Sequence, residues 1–309
     1  MASLRDIRTR ISAVRNTQQV TRAMKMVAAS KLRRAQEQIF RTRPYAYKVG
    51  EIINHLKTQV DPSLHPLFQP RAETTAVLVI VVTSDRGLAG AFNANIIRLA
   101  EQTIQDRFDS FRSRGKLFVL GLGRKGREHF SKRGYQMVGS YREIFEELSF
   151  EKVQSIARDV IDGYLAERWD EVVVIYNEFR NTIAQNRIVE PLLPIPAERF
   201  LTPIMAGGAE DRPDEARADR HRVDFIFEPG AARILDELVP RYLNFVLWRV
   251  LLESSASEQG ARMVAMDSAT SNADELLRDL RLRYNRARQD AITKEIIEIT
   301  SGAEALQRA

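Results

Sequence analysis

The chain has 309 residues, 44% of them hydrophobic and 28% charged, a length and balance that suit about two soluble domains and exclude a disordered or fibrous chain. It has no cysteine, which excludes disulfides, thiolate metal sites and cysteine nucleophiles. The net charge of +6 is uneven: residues 1–57 hold thirteen Lys and Arg against three Asp and Glu, which suggests a polyanionic partner for that stretch, whether nucleic acid, anionic lipid or an acidic protein surface.

Ser3 to about Lys57 reads as one long helix, with no glycine before Gly50 and Pro44 as its only proline. Its apolar residues step by heptad through Leu4, Ile7, Ile11 and Val14, give way to Gln18, Thr21 and Lys25, and resume at Ala28, Leu32, Ala35 and Ile39. Around the gap Val20, Ala23, Met24 and Val27 are displaced by one place, which predicts that the buried stripe rotates there. The small residues Ala28, Ala29 and Ala35 would let a partner helix approach closely.

The pattern then changes. Thr75 to Val82 is continuously apolar and β-branched, a buried strand. It is too short to span a bilayer, and the opening MASLRDIRTR lacks a signal-peptide core, so a soluble, cytoplasmic chain is expected. Helices are expected over Phe92–Phe108, Arg124–Lys132 and Ser149–Arg168. Further strands are expected over Lys116–Leu122, Tyr135–Val138 and Glu171–Asn177, and Ile188–Ile195, with Pro191 and Pro194, suits an edge strand or extended segment. Alternating strands and helices predict a small doubly wound α/β domain over about 70–228. Gly207 to Arg222 is a charged loop, and Val223 to Gly230 a short strand.

From Ile234 to Leu306 apolar residues recur every three or four places. From Leu235 through Leu252, Met266 and Leu280 to Ala291, fourteen of seventeen seam positions are apolar, the exceptions being Arg249, Gln259 and Thr270. A period of 3.5 held this long predicts a coiled-coil helix, and about 65 residues would span on the order of 100 Å. Past Ala291 the apolar set shifts by one place to Ile292, Ile296, Ile299, Ala303 and Leu306, which implies a changed or lost neighbour. The two terminal helices, about 1–60 and 229–309, are natural partners in a long antiparallel coiled coil flanking the α/β domain.

Two stretches look catalytic. Gly121-Leu122-Gly123-Arg124-Lys125-Gly126 is a G-x-G-x-x-G between a strand and a helix, the context of a dinucleotide site. It lies in the second βα unit, its distal acid has only Glu143 and Glu146 as loose candidates, and a glycine-rich strand-to-helix turn is the favoured reading. Ser84 to Gly90 lies at the carboxyl end of the first strand, but none of His55, His65, His129 and His221 is spaced to activate Ser84. A tight turn that Asn93 or Asn95 caps or packs against is the simpler use. No metal-ligand spacing or Walker motif occurs. Aromatic residues are absent from the first helix before Phe40 and Tyr45, which leaves base stacking without support.

Several blocks carry a resemblance: Ile7-Arg8-Thr9-Arg10-Ile11, Asn16-Thr17-Gln18, Thr21 to Leu32, Arg43-Pro44-Tyr45, Asp85-Arg86-Gly87-Leu88, Ser257-Glu258-Gln259 through Met266, and Tyr284 to Glu295 followed by Gly302-Ala303. Together they make the chain resemble the γ subunit of the rotary ATP synthases over essentially its whole length. The resemblance implies a shaft inside a ring of three catalytic and three non-catalytic subunits, with the α/β domain beside the ε subunit and the membrane c-ring. It implies nucleotide chemistry in the ring, no cofactor here and no catalytic site in this chain. By motif position, Met24, Lys25, Arg262, Arg288, Gln289, Thr293 and Glu295 would face the ring, and Phe225, Phe227 and Glu228 the ε subunit and c-ring. Ala89 stands where the family commonly has Cys, and no cysteine pair for a chloroplast-type thiol switch is present. A peripheral place on the cytoplasmic face of a bacterial membrane follows as an expectation. The competing readings are an NAD(P)-binding enzyme with coiled-coil extensions and a nucleic-acid-binding coiled coil.

Overall fold

In the computed structural model of the chain, residues 4–56, 61, 65–141, 143–196 and 230–307 are described. The expected loop 207–222 and all but the last residue of the expected strand 223–230 lie outside them. The elements in order are α1 (Leu4–Leu56), β1 (Val77–Val82), α2 (Phe92–Arg107), α3 (Asp109–Ser113), β2 (Leu117–Leu122), α4 (Arg124–Lys132), β3 (Gln136–Met137), α5 (Phe150–Leu165), β4 (Glu171–Phe179), β5 (Gln185–Leu193) and α6 (Ala231–Gln307). Two compact units form, residues 1–29 with 262–309 and residues 30–261, so each long helix contributes to both.

The larger unit is built on a five-stranded sheet in the order β3-β2-β1-β4-β5. Four strands run parallel, as the strand–helix alternation predicts, and β5 returns antiparallel at the edge. The return is a hairpin whose turn is held by the Asn181 carboxamide oxygen, which accepts from the N–H groups of Ile183 and Ala184 at 2.9 and 2.7 Å. Polar Gln185 to Arg187 hid the first residues of β5 from a hydrophobic reading. Alternate residues of each strand feed opposite faces of the sheet. Val77, Val79, Val81, Val173 and Ile175 pack under Ile96, Ala100 and Ile104 of α2 and Phe130 of α4. Leu78, Ile80, Val82, Val172 and Val174 join a second core with Val153, Ile156 and Val160 of α5 and the α6 residues between Leu235 and Leu252. Burial on this scale contributes about 1.5–3 kcal/mol for each large apolar side chain.

Asp170 fastens the start of β1. Its carboxylate accepts from Thr75 N and Oγ1, each at 2.7 Å, and from Ala76 N at 3.0 Å, with the Arg71 Nε at 3.1 Å. Burial works to raise this carboxyl, but the bonds from Thr75 and Ala76 and the charge of Arg71 outweigh it and hold it below the usual range.

In the smaller unit α1 and α6 run antiparallel. Arg8 Nη2 donates to the Tyr284 hydroxyl at 2.8 Å, Gln18 Nε2 to Asp274 Oδ1, and Lys25 Nζ to Asp267 Oδ1 at 2.6 Å, while the Thr21 and Thr270 hydroxyls meet at 2.8 Å. Every advance along α1 is matched by a retreat along α6. The expected rotation of the stripe at Gln18 to Lys25 does not occur: Val20 and Val27 are 57% and 56% exposed, while Thr21 is buried. A count of apolar residues alone misplaces the seam, because three polar positions stay on it and find polar partners across it. Ala28 is buried, as expected, and Ala29 faces out.

The threonine pair sets register more than strength. Each hydroxyl has one proton, and each also reaches a carbonyl of its own helix, Thr21 that of Gln18 at 3.0 Å and Thr270 that of Met266 at 2.7 Å. The double replacement Thr21→Val, Thr270→Val is therefore expected to change stability by less than about 1 kcal/mol. Urea unfolding checks this, and a loss above about 2 kcal/mol would make the pair a principal tie between the helices.

Candidate partner-contact surface

Met24 and Lys25 lie on α1 beside the threonine layer, both half-buried, with Lys25 engaged by Asp267. At 41% and 57% side-chain exposure this ion pair contributes at most about 1 kcal/mol and leaves the ammonium accessible. Met26 and Val27 next to them are exposed apolar residues on a basic helix. Arg262 is buried on α6. Arg288, Gln289, Thr293 and Glu295 are all exposed and occupy about two successive turns of α6. Beyond Tyr284 the α6 surface changes character: Ile292, Ile296, Ile297 and Ile299 are all exposed, Ile299 by 72%. Four large apolar side chains along two turns of helix form a patch of the kind that marks an interaction site. The structure thus brings Lys25 to Asp267 and gathers the last four polar candidates on one stretch. Phe225, Phe227 and Glu228 lie outside the described residues.

The glycine turn has a different use from the one its spacing suggests. Gly123 has φ +98°, and a Cβ there would lie 2.1 Å from the Thr83 carbonyl oxygen, while one at Gly126 would lie 2.9 Å from Thr83 Oγ1. The N–H groups that open α4 are already engaged. Gly126 N donates to Thr83 Oγ1 at 2.8 Å, Arg124 N to Asp85 Oδ1 at 3.0 Å and Lys125 N to the Ser84 carbonyl at 3.1 Å. The helix terminus on which a pyrophosphate would sit is filled by oxygens of the chain itself. These glycines let α4 close against the end of β1, and the dinucleotide reading fails on that geometry.

Asp85 is the organiser here, and sequence reasoning missed it. Besides Arg124 N, its carboxylate accepts from Glu143 N at 3.2 Å and Phe145 N at 3.0 Å, joining three segments. Asn93 does what the turn reading expects: its side-chain oxygen accepts from Ser84 N at 2.9 Å. Ser84 Oγ donates to the Arg86 carbonyl at 2.6 Å, so its proton serves the turn.

Comparison with known proteins decides the family. A family model described as ATP synthase matches residues 3–306. An ATP synthase gamma chain of Salinibacter ruber is 58% identical over 311 residues, covering all of both chains. The chain belongs to the ATP synthase γ-chain family. A second γ chain, from Chloroherpeton thalassium, is 49% identical over 316 residues, again covering all of both chains. The same fold occurs in the Euglena gracilis mitochondrial ATP synthase, in a chain of its OSCP, F1 and c-ring assembly, with a TM-score of 0.62 at 17% identity over 98% of this chain and 94% of that one. Within this family fold, Ser257-Glu258-Gln259, one of the blocks that carries the resemblance, is buried where α6 meets β4, and Ser257 Oγ donates to the Asn177 carbonyl at 3.2 Å. Gly260 follows, its Cβ position 3.4 Å from the Thr182 carbonyl oxygen, so the glycine admits the hairpin without breaking α6.

Proposed function

We propose that this chain is the central rotor shaft of a proton-driven ATP synthase, a non-catalytic subunit that couples rotation of the membrane c-ring to ATP synthesis or hydrolysis in the catalytic subunits. Its partners are a ring of three catalytic and three non-catalytic subunits, the ε subunit and the c-ring. Its place is peripheral, on the cytoplasmic face of a bacterial membrane. Among the described residues no helix is long and apolar enough to cross a membrane.

The observation that carries this reading is the exposed isoleucine run of α6, which calls for a sheath from outside the chain. The surface offered to that sheath differs around and along the helices: basic beside Lys25, apolar at Ile296, mixed at Arg288 to Glu295. A ring of alternating subunits turning about such a surface meets different contacts at each angle. Differential contact is what shifts each catalytic site between its states. Met24, Lys25, Arg288, Gln289, Thr293 and Glu295 would make those contacts, Arg262 would support them from within the shaft, and Phe225, Phe227 and Glu228 would face the ε subunit and c-ring.

Because the chain has no cysteine, a Cys introduced at exposed Ile183, on the β4–β5 turn, takes a single label. With the labelled chain assembled into its own catalytic ring, ATP is expected to drive one-way rotation of the label with one dwell for each catalytic site. Full ATP hydrolysis with a static label would overturn the proposal.

A further inference from the structure

Arg249 lies inside the larger unit, on the part of α6 that packs against β4 and β5. Its Nη2 bonds both oxygens of Glu190 on β5 at 2.9 Å, and its Nη1 donates to the Tyr176 hydroxyl on β4 at 2.9 Å. The Tyr176 hydroxyl in turn donates to Glu190 Oε2 at 2.9 Å. One turn along α6, Glu253 Oε1 lies 3.5 Å from Arg249 Nη1. Glu253 Oε2 meets no partner, and neither do Arg249 Nε and Ser254 Oγ. The contacts from α1 nearby are apolar, with Leu32, Ala35 and Ile39 gathered about Ala256.

One interior guanidinium therefore serves two interior carboxylates, and Glu178 of β4 adds a further negative charge. Glu190 has both oxygens on Arg249 Nη2 and a third bond from the Tyr176 hydroxyl, the charge-assisted contacts an ionised carboxylate needs to offset its lost hydration, while Glu253 has one long contact and a bare oxygen. The second carboxylate of such a set takes up a proton. We propose that Glu253 is a proton-binding residue whose protonation seats α6 on the β4–β5 hairpin and whose ionisation loosens that seat.

Burial first of all pushes the Glu253 carboxyl up, Arg249 pulls it down, and Glu178 and Glu190 add to the rise, which brings it to about 7. The groups facing it are Arg249 from its own helix, Tyr176 and Glu178 from β4 and Glu190 from β5. An unfolded glutamate titrates near 4.5. The folded group thus binds its proton more tightly, and its contribution is complete below that ordinary value. It is lost as pH rises from there to about 7, most steeply midway between the two values, and is gone above neutrality.

The test uses the full chain, with infrared absorption of protonated carboxyl groups and hydrogen exchange of β5 amides followed from about pH 5 to pH 9. A protonated-carboxyl band that titrates near neutral pH is expected, with β5 protection falling up to about tenfold per pH unit on the acid side of it, between about pH 5 and 7, beyond the intrinsic rise in exchange. Glu253→Gln should abolish both the band and the pH dependence. Glu190→Gln, which removes the competing carboxylate, should move the transition acidward by about one unit. Absence of the band from the unaltered chain overturns the proposal even if a variant fails to fold. So does a Glu253→Gln chain that keeps the pH dependence, or a transition that ignores the loss of Glu190.

Discussion

Replacing Arg249 with Met is expected to lower the stability of the larger unit by about 3–5 kcal/mol at neutral pH, read from urea unfolding. The methionine fills the space but leaves Glu190 and Glu253, which share this guanidinium, with no cation. Burial works against the Arg249 charge, yet Glu190, Tyr176 and Glu253 together hold its guanidinium above the usual range, so the native cluster keeps its positive centre at every working pH. The loss should shrink as pH falls towards about 5, where the stranded carboxyls take protons. A cost below about 1 kcal/mol at neutral pH would mean that water, and not Arg249, solvates the pair.

Gly123→Ala is expected to cost on the order of 3 kcal/mol. The new methyl would lie 2.1 Å from the Thr83 carbonyl oxygen, a backbone atom fixed by the sheet, and the residue would have to keep φ +98°. Gly121→Ala makes the informative comparison. Its Cβ would lie 3.0 Å from Arg127 backbone atoms with no positive φ to maintain, and about 1–2 kcal/mol is expected. Equal effects of the two changes would show that the closure of α4 on β1 yields more easily than the geometry implies. Thermal unfolding with near-ultraviolet dichroism separates the outcomes.

What could be read from the chain depended on whether a residue's role is carried by near neighbours. Val77 to Val82 and Leu117 to Leu122 were legible as strands because continuous β-branched and apolar residues leave few other uses, and α4 was legible to its ends. The long helices were legible from their period. The polar seam was misread, since Gln18, Thr21 and Lys25 look like a gap until Asp274, Thr270 and Asp267 are set opposite them. Arg249 showed in the sequence only as an exception on an apolar seam, and nothing local to it announces Glu190 or Tyr176. Asp85 was hidden for the same reason: the backbone donors it gathers lie at Arg124, Glu143 and Phe145, and backbone groups leave no signature in a sequence. The G-x-G-x-x-G spacing was real, but the spacing alone does not distinguish a phosphate from the oxygens of Thr83 and Asp85.

The layer at Gln18, Thr21 and Lys25 also has a mechanical meaning. A seam of leucines alone can slide by a whole heptad and find much the same packing again. Here a seven-residue slide of one helix along the other would set Ile11 against Asp274 in one direction and Leu32 against Asp267 in the other, each an apolar side chain against a carboxylate. The layer acts as a key in a keyway: a torque applied at one end of the pair twists both strands together, because the slide of one along the other is blocked.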